Sequence, residues 1–166
     1  MAWKKGRGAL GALKPLLGRW VSEPSGRADK ASAIKCTREF TAFGDKTVQL
    51  DARWAMGKGR EYREVAFYRT GADGKLGFAS FTNDGKSSVG TLSDGRDIHP
   101  EAIAFEAKMP AGLARMAYWP ADDGDGFHFA VESKTKKGWR RFFLHTYRRA
   151  SRRTKKEPAA ADGPSK

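Results

Sequence analysis

The chain has 166 residues, 39% of them hydrophobic, and a net charge of +13 at pH 7. Its length fits one domain with a substantial core, and no apolar run approaches the roughly 18 residues that a membrane-spanning helix needs. The single cysteine, Cys36, excludes an intramolecular disulfide and favours a reducing compartment. No signal-peptide cleavage site follows the basic start, so the sequence predicts a cytoplasmic protein.

The positive charge is concentrated at the two ends of the chain. Residues 1–20 carry five Lys or Arg and no acidic residue, and residues 148–166 carry seven Lys or Arg against two acidic residues. The composition of residues 151–166 predicts a flexible basic tail. Such a tail either keeps the protein in solution or contacts phosphates of nucleic acid or anionic lipid. The candidates for that contact are Arg149, Arg152, Arg153, Lys155 and Lys156.

Residues 1–17 are predicted to be a basic lead-in with a short helical plug at Ala9–Leu17. Between residues 32 and 148 the sequence alternates apolar and polar residues, which predicts strands with one buried face. A further strand, at Gly18–Glu23, precedes them. Short stretches such as GDK, GADGK and NDGK separate the segments and supply the residues that tight turns need. The predicted strands are, in chain order, Gly18–Glu23, Ser32–Phe43, Thr47–Met56, Arg60–Thr70, Leu76–Thr82, Ser88–Leu92, Glu101–Met109, Leu113–Trp119, Gly126–Ser133 and Trp139–Arg148.

The short connections predict that consecutive strands are antiparallel neighbours in a meander. A meander of ten strands either closes on itself or leaves long exposed edges, and closure removes the edges. The sequence therefore predicts an all-β protein: a closed up-and-down antiparallel barrel of about ten strands over residues 18–150. The helical plug precedes this barrel, and a disordered basic tail follows it.

Closure would place the first strand beside the last, and so bring Trp20 next to Arg148. A guanidinium stacked on an indole is a favourable contact, which predicts that this pair joins the two ends of the sheet. The pattern Leu-x-Gly-x-Trp at Leu16, Gly18 and Trp20, with the closing Tyr147-Arg148, resembles the signature of the calycin superfamily. The bacterial lipocalin-like and nitrobindin-like groups are the most similar. This resemblance implies a barrel with a ligand cavity.

Polar residues on apolar strand faces are the candidates for binding inside such a barrel. Arg38 shares a predicted face with Cys36 and Phe40, where a charge needs a partner; it either contacts a ligand or forms an internal pair. On the last strand, one face carries Phe142 and Leu144 and the other carries His145, and a single bulge would exchange them. The predicted lumen residues are Arg38, Trp54, Phe143, His145 and Tyr147.

Three functions remain open. The leading prediction is a non-catalytic barrel that binds a small hydrophobic ligand in its lumen. The first alternative is an accessory protein that docks on nucleic acid or anionic lipid through its basic termini. The second follows from the resemblance to nitrobindins, which implies haem held by His145. No catalytic, phosphate-binding or dinucleotide motif is present, and the His and Cys residues lack metal-ligand spacing, so neither an enzyme nor a metal site is predicted.

Overall fold

The computed structural model describes residues 3–23 and 35–151. It shows an all-β architecture with ten antiparallel strands, as the alternation predicts. The first residues of the second predicted strand, 32–34, and the predicted tail at 152–166 lie outside the described residues. The observed strands are β1 Gly18–Ser22, β2 Cys36–Ala42, β3 Val48–Ala55, β4 Glu61–Thr70, β5 Leu76–Thr82, β6 Ser87–Ser93, β7 Ile103–Met109, β8 Gly112–Pro120, β9 Phe127–Thr135 and β10 Gly138–Arg149.

The sheet is a closed barrel in which each strand pairs with its neighbours in sequence and β1 pairs with β10. The closing register places Trp20 opposite Arg149 and Ser22 opposite Tyr147. On its other side, β1 pairs with β2, where Gly18 lies opposite Phe40. The prediction of a closed up-and-down barrel is confirmed, and with it the meeting of the two ends of the sheet.

A short 3-10 helix, Ala9–Leu16, precedes the barrel where a helical plug is predicted. Leu13 and Leu16 are fully buried and belong to the same core cluster as the inward side chains of the strands. The indole Nε1 of Trp20 donates to the carbonyl of Leu16 at 2.7 Å, which ties the helix to β1. Among the described residues, no helix is long or apolar enough to cross a membrane.

The guanidinium that stacks on Trp20 belongs to Arg149, and the prediction that it belongs to Arg148 is wrong. The Cζ of Arg149 lies 4.3 Å from the Trp20 ring centroid, and its Nη1 donates to Leu17 O at 3.3 Å. Directly opposed residues of paired strands share a face, and the register opposes Trp20 to Arg149. Arg148 faces the other way and forms ion pairs with Glu23 and Asp123.

Gly18, a residue of the Leu-x-Gly-x-Trp pattern, occupies a position in β1 that favours glycine. Its φ of 122° is unfavourable for other residues, and a Cβ there would run into Nη1 of Arg149. The glycine therefore leaves the space that the Arg149 guanidinium occupies next to the Trp20 ring. Arg149 is also one of the five residues predicted to contact a polyanion, and its guanidinium instead contacts Trp20 and Leu17.

The two ends of the barrel differ. The connections after β2, β4, β6 and β8, together with the 3-10 helix, lie at one end, which we call the closed end. The connections after β3, β5, β7 and β9 lie at the other, which we call the open end. The longest connection that is described throughout, residues 94–102 after β6, folds back over the outer wall, where Ile98 and Ala102 pack on a cluster that contains Trp119. It also covers Arg115, whose side chain is only 3% exposed and pairs with Asp97 and Glu132.

Candidate functional site

The lumen contains a cavity of about 540 Å³ towards the open end of the barrel. The filled part of the lumen lies towards the closed end, where Trp20, Phe127 and Tyr147 pack together. The cavity wall is mostly aromatic and aliphatic, and its polar groups come chiefly from Arg38 and Glu64, with Ser88, Ser133 and tyrosine hydroxyls. Alternation along the strands explains this wall, because every second residue of β2, β4, β8 and β9 faces inward.

Arg38 is buried at the inner end of this cavity. Its strand presents Cys36, Arg38 and Phe40 to the lumen, and Arg38 is 2% exposed. Four aromatic rings surround the guanidinium, the nearest being Phe129 at 3.9 Å from Cζ. This enclosure explains how a cation is accommodated among apolar residues, since the faces of aromatic rings attract positive charge.

The hydrogen bonds of Arg38 are incomplete. Nη2 donates to Tyr118 Oη at 2.8 Å. Nε and Nη1 are buried and make no well-aligned hydrogen bond within the described part of the chain, although the Tyr147 hydroxyl interacts with the guanidinium. Burial lowers the pKa of Arg38, but polar groups around it, Tyr118 foremost, raise the pKa by more. The guanidinium therefore stays charged with two donor nitrogens buried among aromatic rings, which is energetically costly.

Glu64 is the second charged residue of the cavity wall, and the sequence reasoning missed it. It shares the inward face of β4 with Tyr62 and Tyr68. Burial raises the pKa of the Glu64 carboxyl, and the charge of Arg38 opposes this rise. The sequence pattern that identified Arg38 also occurs at Glu64, which is an ionisable residue on the same strand face as aromatic residues.

The last strand presents Phe143, His145 and Tyr147 to the interior, which resolves the two alternatives left by the sequence. A bulge between Arg141 and Phe143 shifts the register, so that Phe142 is 62% exposed at the open end. His145 and Tyr147 are buried below it. The bulge decides the facing because one extra residue exchanges the two faces of a strand.

The five predicted lumen residues therefore divide into two groups. Arg38, Trp54 and Phe143 line the cavity, whereas His145 and Tyr147 point inward but are packed in the filled part of the lumen. Residues that line the cavity and were not predicted include Glu64, Phe78, Met116 and Tyr118. Their strands were predicted correctly, but the space between the strands was not visible in the sequence.

His145 is placed poorly for haem. Its ring centroid lies 4.2 Å from that of Phe143, and the imidazole is 2% exposed and absent from the cavity wall. An axial ligand must present a ring nitrogen to the space that holds the macrocycle, so these residues do not fit the group. Among residues 3–23 and 35–151, no three His, Cys, Asp or Glu side chains converge as metal ligands would.

Cys36 lies beside Arg38 on the inward face of β2. Burial raises the pKa of the Cys36 thiol to about 11, although Arg38 and Tyr147 act in the opposite direction. At neutral pH the thiolate is therefore scarce, and the thiolate is the nucleophilic form. Cys36 is thus part of the apolar packing around Arg38.

Comparison with known proteins identifies the fold and nothing finer. No family model matches the chain, and no curated protein matches it. Among solved structures it is similar to Rv2717c from M. tuberculosis, with a TM-score of 0.54 and 18% sequence identity. The likeness covers 87% of this chain and 98% of that one. Rv2717c therefore shares the barrel architecture with this protein.

Proposed function

We propose that this protein is a calycin-type barrel that binds one small hydrophobic molecule in its lumen without converting it. The cavity of about 540 Å³ supports this proposal, because ligand pockets in proteins occupy roughly 300–1,000 Å³ and are mostly apolar with a few placed polar groups. Barrels of this size either fill their interior with side chains or hold a single small ligand. The unfilled part of this lumen favours the second alternative.

The observation that carries the proposal is the incomplete hydrogen bonding of Arg38. A buried guanidinium with two unused donors costs stability, and proteins keep such features where they serve function. A carboxylate or another acceptor at the end of an apolar ligand would accept from Nε or Nη1, the two nitrogen atoms that lack an acceptor, in a charge-assisted hydrogen bond. The ligand is thus an amphipathic acid or a similar molecule, with its polar end deep in the lumen.

The protonation state of Glu64 determines the net charge of the cavity wall and therefore the charge of the ligand that it favours. Arg38 and an ionised Glu64 together are neutral, whereas Arg38 and a protonated Glu64 carry one positive charge. An anionic ligand is therefore favoured when Glu64 is protonated, and the burial that raises the pKa of Glu64 helps to keep it so.

Two measurements test the proposal. Native mass spectrometry of protein purified from its own host should show a bound small molecule that organic extraction releases. Protein freed of it should enhance the fluorescence of anilinonaphthalene sulfonate, whose aromatic body and anionic group match the cavity. Ala114 lines the cavity, so Ala114→Trp should occupy the space and abolish this enhancement.

The matched control is Ala55→Trp. Ala55 is exposed and lies next to Trp54 in β3, where it faces outward, so the same substitution leaves the lumen unchanged. We expect Ala55→Trp to bind the probe as the wild type does. Equal loss of binding in both variants, or no loss in Ala114→Trp, would place the probe elsewhere on the surface and reject the lumen as the binding site.

Haem binding and docking through the basic termini are the two other predicted functions. Haem binding through His145 has no support from the position of the imidazole. Docking through the basic termini concerns Arg152, Arg153, Lys155 and Lys156, which lie outside the described residues.

A further inference from the structure

The open end of the barrel carries an excess of positive charge that the strand pattern does not explain. Its described connections, residues 56–60, 83–86, 110–111 and 136–137, contain five basic residues and one acidic residue. The acidic residue, Asp84, pairs with Lys86 at 3.3 Å. The four remaining cations are exposed and form no ion pair within the described part of the chain; they are Lys58, Arg60, Lys136 and Lys137.

The connections of the closed end have the opposite composition. Residues 43–47, 71–75, 94–102 and 121–126 contain eight acidic residues and three basic ones. The N-terminal segment at that end adds Lys4, Lys5, Arg7 and Lys14, which offset part of the negative charge. These described connections thus differ in net charge between the two ends of the barrel, and the positive set surrounds the mouth of the cavity.

Exposed apolar side chains lie within this ring of cations. Met56, Met109 and Phe142 are 48%, 41% and 62% exposed, and all three line the cavity. Large apolar side chains at an exposed edge, rimmed by basic residues, are typical of surfaces that insert into the interface of an anionic bilayer. We propose that the open end docks on an anionic membrane surface, with these three side chains in the interface and the four cations against the lipid headgroups.

A bilayer fits this surface better than a nucleic acid does. Single-stranded nucleic acid is held on several stacked aromatic rings along a basic groove, whereas the rim offers one aromatic side chain and two methionines. The apolar residues also lead directly into the lumen, so docking would join the acyl region of the membrane to the cavity. Membrane docking itself does not depend on the proposed function. Only its role, the exchange of a hydrophobic ligand between the membrane and the lumen, rests on that function.

The experiment measures co-sedimentation of the full chain with vesicles of phosphatidylcholine, alone or mixed with phosphatidylglycerol. Three double variants change the net charge equally at different places. Lys136→Glu with Lys137→Glu alters the open end, Lys46→Glu with Lys75→Glu alters the closed end, and Arg152→Glu with Arg153→Glu alters the tail. All six residues are basic, so the total charge cannot distinguish the variants.

We expect the wild type to bind only the vesicles that contain phosphatidylglycerol. The open-end variant should bind these vesicles at least about thirtyfold more weakly, because each basic residue near an anionic surface contributes about fivefold in affinity and the variant removes two of them. The closed-end and tail variants should bind like the wild type. Equal weakening in all three, or selective weakening in the tail variant, would overturn the proposal.

Two further readouts separate this surface from the lumen site and from a nucleic-acid site. The open-end variant should still bind anilinonaphthalene sulfonate in the absence of vesicles, so failure of docking and failure of lumen binding are distinguishable. Competition by a single-stranded RNA oligonucleotide should be weak. Tighter binding of RNA than of vesicles, lost in the same open-end variant, would replace the membrane with a nucleic acid and reject the proposal.

Discussion

Arg38→Met should weaken the binding of anilinonaphthalene sulfonate by about tenfold to a hundredfold, because hydrogen bonds to a charged group contribute about 1.5–3 kcal/mol. Methionine is apolar, unbranched and adaptable, so it fills much of the space among the aromatic rings while removing the donors. Phenylnaphthylamine, which has a similar aromatic body and no anionic group, is the matched probe. Its affinity should stay within about threefold of the wild type, since it makes no use of the guanidinium.

The same substitution should leave the free energy of unfolding unchanged or raise it. Replacement of buried charges by apolar side chains of similar volume is often neutral or stabilising, by about 1–4 kcal/mol. The loss of the Tyr118 hydrogen bond acts in the other direction. Urea denaturation of the ligand-free protein measures the balance. A large loss of stability with unchanged affinity for the probe would mean that Arg38 is structural, and the proposed ligand orientation would be wrong.

The pH dependence of probe binding follows from Glu64. Because burial raises the pKa of its carboxyl, Glu64 stays protonated above the pH at which an exposed glutamate ionises. As the pH rises through this raised pKa, Glu64 ionises and repels the sulfonate, so affinity should fall. Titration of wild type and Glu64→Gln, which cannot ionise, checks this: the variant should bind equally across that range. A fall in Glu64→Gln would assign the pH dependence to another group.

Trp20→Ala should lower the free energy of unfolding by about 3–5 kcal/mol, the range for removal of a large buried aromatic side chain. Trp20 is 4% exposed, packs edge-to-face on Phe127 at 4.9 Å and donates to Leu16. It also lies in β1, a strand of only five residues that closes the barrel. Urea denaturation followed by circular dichroism measures the loss.

A double-mutant cycle tests which arginine acts with Trp20. Combining Trp20→Ala with Arg149→Met should give a coupling energy of about 0.5–2 kcal/mol, the value of a cation–π contact. The cycle with Arg148→Met should give a coupling near zero, because Arg148 pairs with Glu23 and Asp123 instead. Strong coupling to Arg148 and none to Arg149 would contradict the closing register.

Much of the fold is readable from local features of the chain. Alternation in β3, with Val48, Leu50 and Ala52 buried, and turn residues between segments gave all ten strands with ends within a few residues. These signals are strong because a strand with one buried face has a period of two wherever it occurs. Closure followed from the cost of open edges. The position of Arg38 in the lumen followed from the same alternation.

Only the tertiary structure determines the strand register, the facing of side chains near a bulge and the contacts between residues distant in sequence. The register between β1 and β10 places Arg149 beside Trp20, where the sequence predicted Arg148. The difference of one residue matters because successive side chains of a strand point to opposite faces. The bulge after Arg141 turned His145 inward, and the connection over residues 94–102 buried Arg115 on the outer wall. The sequence by itself thus determined the strands, their order and the inward face of most of them. Only the assembled barrel determined the cavity beside Arg38 and Glu64, since an internal volume depends on how far all the walls lie apart.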